Sequence, residues 1–322
     1  MKRFITLTLA LLMLLSVALC AVSCTKTDDR IRVGYLTGPT GMGMAKLIHD
    51  NGGKDGNEKY TFVQYTGNDA TTNARAALEA GEIDIVCLPT NEAAEYYNSF
   101  KNSKVLSLNC LNSLFIVTDA SNTVESLSDL SGKTIYTLNN GNPYELITHL
   151  ISVNDIDATV SYTYGNNTIS SGEQLTQAVK SGALSIALMP EPLASSFTSA
   201  NSEYSIDLNL TECWEENYST PIAMGCIVAS KSFIDKNYDK VSSFLSEYKA
   251  SIEYIGNKEN IETAANYIAE ASIIPKAPLA KKALLNLGDA ISYVDGQDMK
   301  NILKAFYNAI GVALPDDDFY YD

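Results

Sequence analysis

A pattern of helix, glycine and apolar strand occurs twice in the chain, with a spacing of 101 residues between the two copies. The first copy spans residues 77–89 and the second spans residues 178–190. Gly81 and Gly182 follow the helical part of each copy, where a glycine commonly ends a helix. Because the same spacing recurs outside these two segments, the sequence predicts two lobes of similar fold. The further pairs at this spacing are Tyr35 with Tyr136 and Pro89 with Pro190.

Short β-rich runs alternate with helical patterns along most of the chain, which is typical of an α/β protein. The predicted strands cover residues 31–36, 60–67, 83–88, 133–138, 158–164, 184–189 and 222–229. The predicted helices cover residues 42–51, 69–80, 143–153, 173–181, 241–255, 262–271, 278–287 and 298–310. Since helices dominate after the last strand, we expect two α/β lobes followed by C-terminal helices.

Charge and composition exclude several functional classes. The chain has 23 Lys and Arg residues against 38 Asp and Glu residues, which gives a formal net charge of -15. Nucleic-acid binding depends on Lys and Arg side chains that neutralise phosphates, so we expect no nucleic-acid partner. Hydrophobic residues at 46% and charged residues at 19% are typical of a packed globular protein rather than a disordered chain.

The cysteines and histidines show no metal-binding or disulfide pattern. Six cysteines are too few and too scattered for a disulfide scaffold, and the four beyond residue 24 lack the spacing of metal ligands. We therefore expect no metal and no cofactor, while a bond between Cys213 and Cys226 is left open. His49 and His149 occupy equivalent helices and are predicted to be packing or surface residues. The acidic run Asp316–Asp318 is predicted to be a solvated tail.

The N-terminus has the pattern of a secretory signal. A basic start at residues 1–3 precedes an apolar run at residues 4–22, and small residues then lead to Cys24. This arrangement is similar to the lipobox of bacterial lipoproteins, which implies cleavage of a signal at residues 1–23 and lipidation of Cys24. Residues 24–29 would then be a polar tether at the extracytoplasmic face of the cell membrane. The alternative is an uncleaved helix, because about 19 apolar residues are enough to span a bilayer.

The order of the segments resembles the solute-binding proteins of ABC importers. Within that class it is similar to the nitrate, sulfonate, taurine and thiamine-precursor group, which has the type 2 periplasmic-binding fold. The resemblance covers nearly all of the chain beyond the signal. It rests on Val33–Gly43, Gly81–Asp84, Asp129–Ile135, Leu188–Pro192 and Ala223–Val228.

The resemblance implies an α/β fold of two Rossmann-like lobes with a hinge, plus C-terminal helices. One lobe would contain residues 30–116 and 222–322, and the other residues 117–221, with crossings near residues 114–119 and 221–230. A small-molecule ligand would bind in the cleft, and the lobes would close around it. The expected partners are ABC permease subunits, and the expected state is a lipid-anchored monomer without enzymatic activity. Two alternatives stay open: an enzyme of the same fold that acts on a small heteroaromatic metabolite, and a ligand-sensing lipoprotein without a transporter.

Ligands of open α/β sheets bind beyond the carboxyl ends of the strands, close to helix N-termini. In the first lobe this places Gly38, Thr40, Gly41 and Met42 after the first strand. It also places Thr90 and Asn91 after the third strand. Each group has a plainer interpretation, because the first can be an ordinary turn and Asn91 can simply cap a helix. The absence of a following Gly-Lys-Ser/Thr excludes a nucleotide-binding loop.

The equivalent turn of the second lobe contains Asn140, Gly141 and Asn142, which we predict to contact the ligand or to cap the next helix. Glu191 corresponds to Thr90 at the 101-residue spacing and either borders the cleft or favours a helix start. Trp214, the single tryptophan, either stacks on a ligand or fills an edge of the lobe.

Arginine is scarce beyond the signal, where only Arg30, Arg32 and Arg75 occur. None of them lies in a predicted cleft loop, so the bidentate clamp that commonly holds carboxylate ligands is missing. Helix N-termini can still bind a small anion such as a sulfonate. A neutral or weakly cationic compound, such as a pyrimidine similar to a thiamine precursor, fits a site of Asn, Thr, Glu and Tyr side chains better.

Overall fold

The computed structural model describes residues 29–139 and 142–321. The predicted signal at residues 1–23, the predicted lipidation site Cys24, the predicted tether up to residue 28, and the loop residues Asn140 and Gly141 lie outside these ranges. Ile31–Asp322 forms one compact unit. Within the described ranges, no helix has both the length and the apolar character needed to cross a membrane.

Twelve strands build two five-stranded sheets and a small hairpin in the described part of the chain. The strands are β1 Ile31–Leu36, β2 Tyr60–Tyr65, β3 Ile85–Pro89, β4 Ser103–Cys110, β5 Leu114–Asp119, β6 Thr134–Tyr136, β7 Thr159–Ser161, β8 Thr163–Tyr164, β9 Asn167–Thr168, β10 Ile186–Pro190, β11 Tyr204–Asn209 and β12 Gly225–Ser230. The first sheet has the order β2-β1-β3-β12-β4, and the second has the order β7-β6-β10-β5-β11. The hairpin consists of β8 and β9.

The helices confirm the predicted alternation, with boundaries within a few residues of the expected ones in most cases. They are α1 Pro39–Met42, α2 Ala45–Asp50, α3 Ala70–Glu79, α4 Thr90–Phe100, α5 Asn142–Val153, α6 Gly172–Lys180, α7 Leu193–Ala200, α8 Leu210–Glu215, α9 Lys231–Lys236, α10 Tyr238–Gly256, α11 Ile261–Glu270, α12 Ala277–Leu287 and α13 Gly296–Ile310. The predicted helix over residues 42–51 is instead two short helices, α1 and α2, and sequence analysis did not predict α4, α7, α8 or α9.

The two sheets have the same topology. In the first, β2, β1 and β3 are parallel, and β12 and β4 continue the sheet with antiparallel pairing. In the second, β7, β6 and β10 are parallel, and β5 and β11 follow in the same manner. This correspondence confirms the prediction of two similar α/β lobes. The repeated glycines also correspond, because Gly81 and Gly182 have φ angles of +69° and +73°, which favour glycine at the end of a helix.

The chain passes between the sheets through two short segments. Residues 111–113 connect β4 to β5, and residues 216–224 connect α8 to β12. Leu114–Asp119, where we expected a crossing, is a complete strand of the second sheet, so the predicted lobe boundary at residue 116 falls inside a strand. The assignment of residues 30–116 and 222–322 to one lobe and residues 117–221 to the other stays a prediction.

The C-terminal acidic run is bound to the first sheet and is not simply a solvated tail. Asp316 accepts hydrogen bonds from Tyr97 and Lys101, which lower the pKa of its carboxyl to about 2. Tyr321 donates from its backbone N–H to the Val105 carbonyl of β4 at 3.0 Å, and Phe319 is fully buried. The segment therefore covers the outer edge of β4, which would otherwise leave unpaired backbone groups. Lysines pair with the other two aspartates: Lys104 and Lys231 with Asp318, and Lys300 and Lys304 with Asp317.

We predict that Phe319→Ala lowers the free energy of unfolding by about 3–5 kcal/mol, because it removes a fully buried aromatic ring and leaves a cavity. Phe100→Ala is the matched control, since the Phe100 side chain is 46% exposed and its loss should cost much less. Chemical denaturation of the full-length chain measures both. Equal destabilisation by the two variants would contradict a structural role for the C-terminal segment.

Candidate functional site

A cavity of about 340 Å³ lies where the first sheet, the crossover segments and the start of α5 meet. It sits beyond the carboxyl ends of β1, β2 and β3, the position at which open α/β sheets bind ligands. From the second-sheet side, the first turn of α5 closes it. The lining residues are Thr40, Asn68, Thr71, Thr72, Pro89, Asn91, Glu92, Ser113, Asn142, Pro143 and Met224.

Three helices begin at this cavity. Thr71 and Thr72 lie in the first turn of α3, Asn91 and Glu92 in that of α4, and Asn142 at the start of α5. The first backbone N–H groups of a helix have no partner within the helix and carry a partial positive charge. The arrangement can therefore hold an acceptor or anionic group of a ligand without an arginine.

Thr90 connects this site to the rest of the structure. Its backbone N–H donates to the Met224 carbonyl at 3.1 Å, and its hydroxyl donates to the Ala223 carbonyl at 2.5 Å. The Tyr307 hydroxyl donates to the Thr90 carbonyl at 2.7 Å. Thr90 is fully buried, and these bonds anchor the end of β3 within the protein, while its contact with a ligand stays a prediction.

A hydrogen bond joins the two sides of the cavity. Asn142 Nδ2 donates to Thr90 Oγ1 at a distance of 3.4 Å, so the start of α5 is tied to the end of β3. The amide oxygens of Asn142 and Asn91 are buried and have no partner among the described residues. The two residues are 2% and 8% exposed, and both line the cavity. Buried acceptors of this kind are usually paired, so both oxygens are candidates for ligand contact.

Only one of the residues predicted after β1 lines the cavity. Thr40 does so, and its carbonyl accepts a hydrogen bond from Asn109 Nδ2 at 3.0 Å. The Met42 side chain is buried in the hydrophobic core instead. A Cβ at Gly41 would lie 2.0 Å from the Leu36 carbonyl oxygen, so glycine is required there by the backbone. Gly38, with φ +80°, faces the loop at residues 191–192 rather than the cavity.

Glu191 does not line the cavity, and of the two interpretations left open by the sequence its contacts fit the helix start, because it accepts a hydrogen bond from the Ser195 backbone N–H at 3.2 Å. The carboxylate is 2% exposed and accepts hydrogen bonds from Asn286 Nδ2 at 2.7 Å and Ser195 Oγ at 2.8 Å. Burial raises the pKa of Glu191 above its ordinary value, although the hydrogen bonds from Asn286 and Ser195 oppose the shift. Since Ser195 belongs to α7 and Asn286 to α12, Glu191 connects the second sheet to the C-terminal helices.

Trp214 cannot stack on a ligand in this structure, because its side chain is fully buried. The indole Nε1 donates to the Thr220 carbonyl at 2.6 Å, and the ring stacks on Tyr218 with centroids 4.2 Å apart. Of the two interpretations left open by the sequence, the one in which Trp214 fills the lobe describes its position. His149 approaches the same cluster, and burial lowers the pKa of its imidazole.

Sequence analysis missed several lining residues that share one signal. Asn68, Thr71 and Thr72 follow β2 in the same way as Thr40 follows β1, and this strand end was not considered. Glu92 lies one residue beyond Asn91 and forms an ion pair with Arg75 near the cavity. Ser113 and Met224 belong to the crossover segments, whose position cannot be read from local patterns.

Metal clusters and paired cysteines are not found in the part of the chain that the structure describes. No group of three or more His, Cys, Asp or Glu side chains in residues 29–139 and 142–321 could hold a metal ion. Cys213 and Cys226 are both free and buried, so the bond that the sequence left open is not formed. Burial raises the pKa of the Cys213 thiol to about 11.

A family model described as "Menaquinone biosynthesis" matches residues 58–316 of the chain. The chain has no match among curated proteins. The matched residues include the ends of β2 and β3, both crossover segments and the start of α5. The match therefore covers all the lining residues of the cavity except Thr40.

Solved structures confirm the expected fold. An ABC transporter from Parabacteroides distasonis is 21% identical, with a TM-score of 0.73 over 92% of this chain and 99% of that chain. The periplasmic aliphatic sulphonate binding protein of Escherichia coli is 14% identical, with a TM-score of 0.68 over 91% and 92%. The ligand-binding component of an ABC-type import system from Staphylococcus aureus is also 14% identical, with a TM-score of 0.67 over 91% and 96%. At these identities the likeness shows the fold alone.

We predict that Glu191 makes stability depend on pH. Because its pKa is raised in the folded state, its contribution is fully present below the ordinary value of 4.5 and is lost as pH rises through the folded value. The free energy of unfolding of the wild type, minus that of Glu191→Gln, should therefore fall between pH 4.5 and neutral pH. Denaturation at several pH values measures this difference. Glu203→Gln, on the exposed surface, is the control, and a Glu191 difference that rises with pH would contradict the prediction.

Proposed function

The chain belongs to the menaquinone biosynthesis family, and from the site geometry within this fold we propose that it is the solute-binding lipoprotein of an ABC importer. It would be held at the extracytoplasmic face of the cell membrane by lipidated Cys24 and would deliver its ligand to permease subunits as a monomer. The ligand would be a small organic molecule, either similar to a pyrimidine thiamine precursor or similar to a sulfonate.

The observation that carries this proposal is the cavity itself, which is built from both sides of the fold. Its lining includes the ends of strands of the first sheet, both crossover segments and the start of α5. A ligand bound there contacts the elements that must move if the two sides open and close. Capture by closure around such a site is the common behaviour of two-lobed binding proteins.

The chemistry of the lining also favours binding over catalysis. Glu92 is the only side chain among the described lining residues that carries a charge, and its ion pair with Arg75 holds it in place. Acid–base catalysis commonly uses two titratable groups with different pKa values around the reacting atoms. The other lining side chains are hydroxyls, amides, prolines and a methionine, which can bind and orient a solute.

An enzyme is the second candidate, and the family match favours it because the family description names a biosynthetic process. A biosynthetic enzyme would convert its ligand, whereas a binding protein releases it unchanged. Incubation of the full-length chain with a polar metabolite extract, followed by mass spectrometry, separates the two candidates. A compound that is bound and recovered unchanged supports the binding protein, and a time-dependent product would overturn it.

We predict that Asn91→Ala weakens binding of the recovered ligand about 10-fold, since a buried amide contact with the ligand is lost. Asn98→Ala is the matched control, because Asn98 lies on the same helix but donates to the Ala313 carbonyl outside the cavity. Isothermal titration calorimetry gives both dissociation constants. Unchanged affinity of Asn91→Ala would place the ligand elsewhere.

A further inference from the structure

The orientation of the Asn142 amide is fixed by its partner. A threonine hydroxyl has one proton, and Thr90 uses it in the hydrogen bond to the Ala223 carbonyl. Thr90 Oγ1 can therefore only accept from Asn142, which must present its NH₂ group at the distance of 3.4 Å. The assignment of nitrogen and oxygen, often ambiguous for asparagine, is settled here by this chain of hydrogen bonds. Asn142 Oδ1 consequently points away from Thr90.

Asn142 Oδ1 lacks a hydrogen-bond donor. It is buried without a partner among the described residues, in a side chain that lines the cavity. An unpaired buried acceptor destabilises a fold, so such atoms are normally satisfied by protein, water or ligand. Asn91 Oδ1, at the start of α4, is also buried without a partner among the described residues, although no partner fixes the orientation of its amide.

The other polar groups of the cavity impose a second requirement on the chemistry of the ligand. The starts of α3 and α4 present backbone N–H donors, which suit an acceptor or anionic group. The described lining residues include no aromatic side chain, so stacking does not dominate recognition. They also include no Lys, Arg or His, so a single strong anion clamp is absent there. A complementary ligand therefore has both an acceptor group and a donor group.

We propose that the ligand of this cavity is a small molecule with an amino or hydroxyl group that donates a hydrogen bond to Asn142 Oδ1. The inference rests on the proposed binding function and narrows its ligand class. An aminoalkanesulfonate or a hydroxyalkanesulfonate meets the requirement, and an unsubstituted alkanesulfonate does not. An aminopyrimidine meets it, and its dimethylamino analogue does not.

Binding of the ligand also affects the link between the two sides. Asn142 then donates to Thr90 while its oxygen accepts from the ligand, so one amide joins the ligand to the end of β3. Such chains of hydrogen bonds polarise each other and strengthen in a buried site. The amino or hydroxyl group of the ligand therefore distinguishes it from solutes that are otherwise similar but lack such a group.

The test combines a protein variant with a ligand variant. The full-length chain in mild detergent is exposed to a polar metabolite extract of bacterial cells, and the enriched compound is identified by mass spectrometry. Its methylated analogue, in which the amino or hydroxyl protons are replaced, is then prepared. Calorimetry measures both compounds with the wild type, Asn142→Ala and the control Asn166→Ala. Asn166 lies in an exposed turn on the second-sheet side.

We expect methylation to weaken binding to the wild type and to Asn166→Ala about 10-fold. The same methylation should cost little with Asn142→Ala, because that variant has already lost the acceptor. Asn142→Ser, with matching circular dichroism spectra, guards against a folding defect and should behave like the alanine variant. If the losses of affinity caused by methylation and by Asn142→Ala are additive, the inference is wrong. It is also wrong if the enriched compound has no N–H or O–H group. Either result leaves the binding function intact. If the wild type enriches no compound, both the binding function and this inference fail.

Discussion

The residues that follow Pro89 and Pro190 fix the two crossover segments, and the geometry of the site depends on them. Thr90 donates from its backbone N–H to the Met224 carbonyl at 3.1 Å, and Glu191 donates to the Ser113 carbonyl at 2.8 Å. Met224 and Ser113 each stand immediately before the antiparallel strand at the fourth position of a sheet. In each sheet, this bond holds the incoming crossover segment against the last parallel strand, which is β3 in the first sheet and β10 in the second.

Thr90 and Glu191 occupy equivalent positions in the two repeats, but their side chains bind different elements. The Thr90 side chain reaches Ala223 and Asn142, so it ties the end of β3 to the start of α5. The Glu191 side chain reaches Ser195 and Asn286, so it ties the end of β10 to the C-terminal helix α12. The first link joins the two sides of the cavity, so any opening that separates α5 from β3 must break the Thr90–Asn142 bond. The two lobes therefore have the same strand topology, but the side chains at the equivalent positions Thr90 and Glu191 bind different elements, so the site is asymmetric.

The fold could be predicted largely from the sequence because its signals are local. The two copies of helix, glycine and strand are visible at the 101-residue spacing, and Gly81 and Gly182 take the positive φ angles that a helix end requires. Helix starts at Asn91 and Glu191 were left open as interpretations, but the extents of α4 and α7 were not predicted, because a cap or a favourable carboxylate marks only where a helix begins. The bound C-terminal segment was missed for another reason: Asp316–Asp318 appears solvated unless the distant lysines that neutralise it are known.

The site could be predicted only in part, since strand ends are local features and side-chain directions are not. Thr40, Asn91 and Asn142 were predicted and line the cavity, whereas Trp214, Met42 and Glu191 were predicted and are buried elsewhere. Polar residues at strand ends have two possible partners, the protein or the ligand, and the sequence does not say which. Thr90 shows the difference, because all its polar atoms are bonded within the protein.

The scarcity of arginine in the chain has a structural counterpart in the cavity. The starts of α3 and α4 supply backbone donors without a formal positive charge, so an anionic or acceptor group can be held there. Glu92 of the cavity lining forms an ion pair with Arg75, and Glu95 lies further along the same helix, α4. Burial, together with the charges of Glu92 and Glu145, raises the pKa of Glu95, while Arg75 opposes this shift. Because Arg75 pairs with Glu92, it does not act as a free clamp for an anionic group of a ligand. Under the proposed binding function, an anionic or acceptor group would be held at the helix starts and a donor group at the amide oxygens of Asn91 and Asn142, so recognition would depend on several weak contacts rather than on one strong clamp.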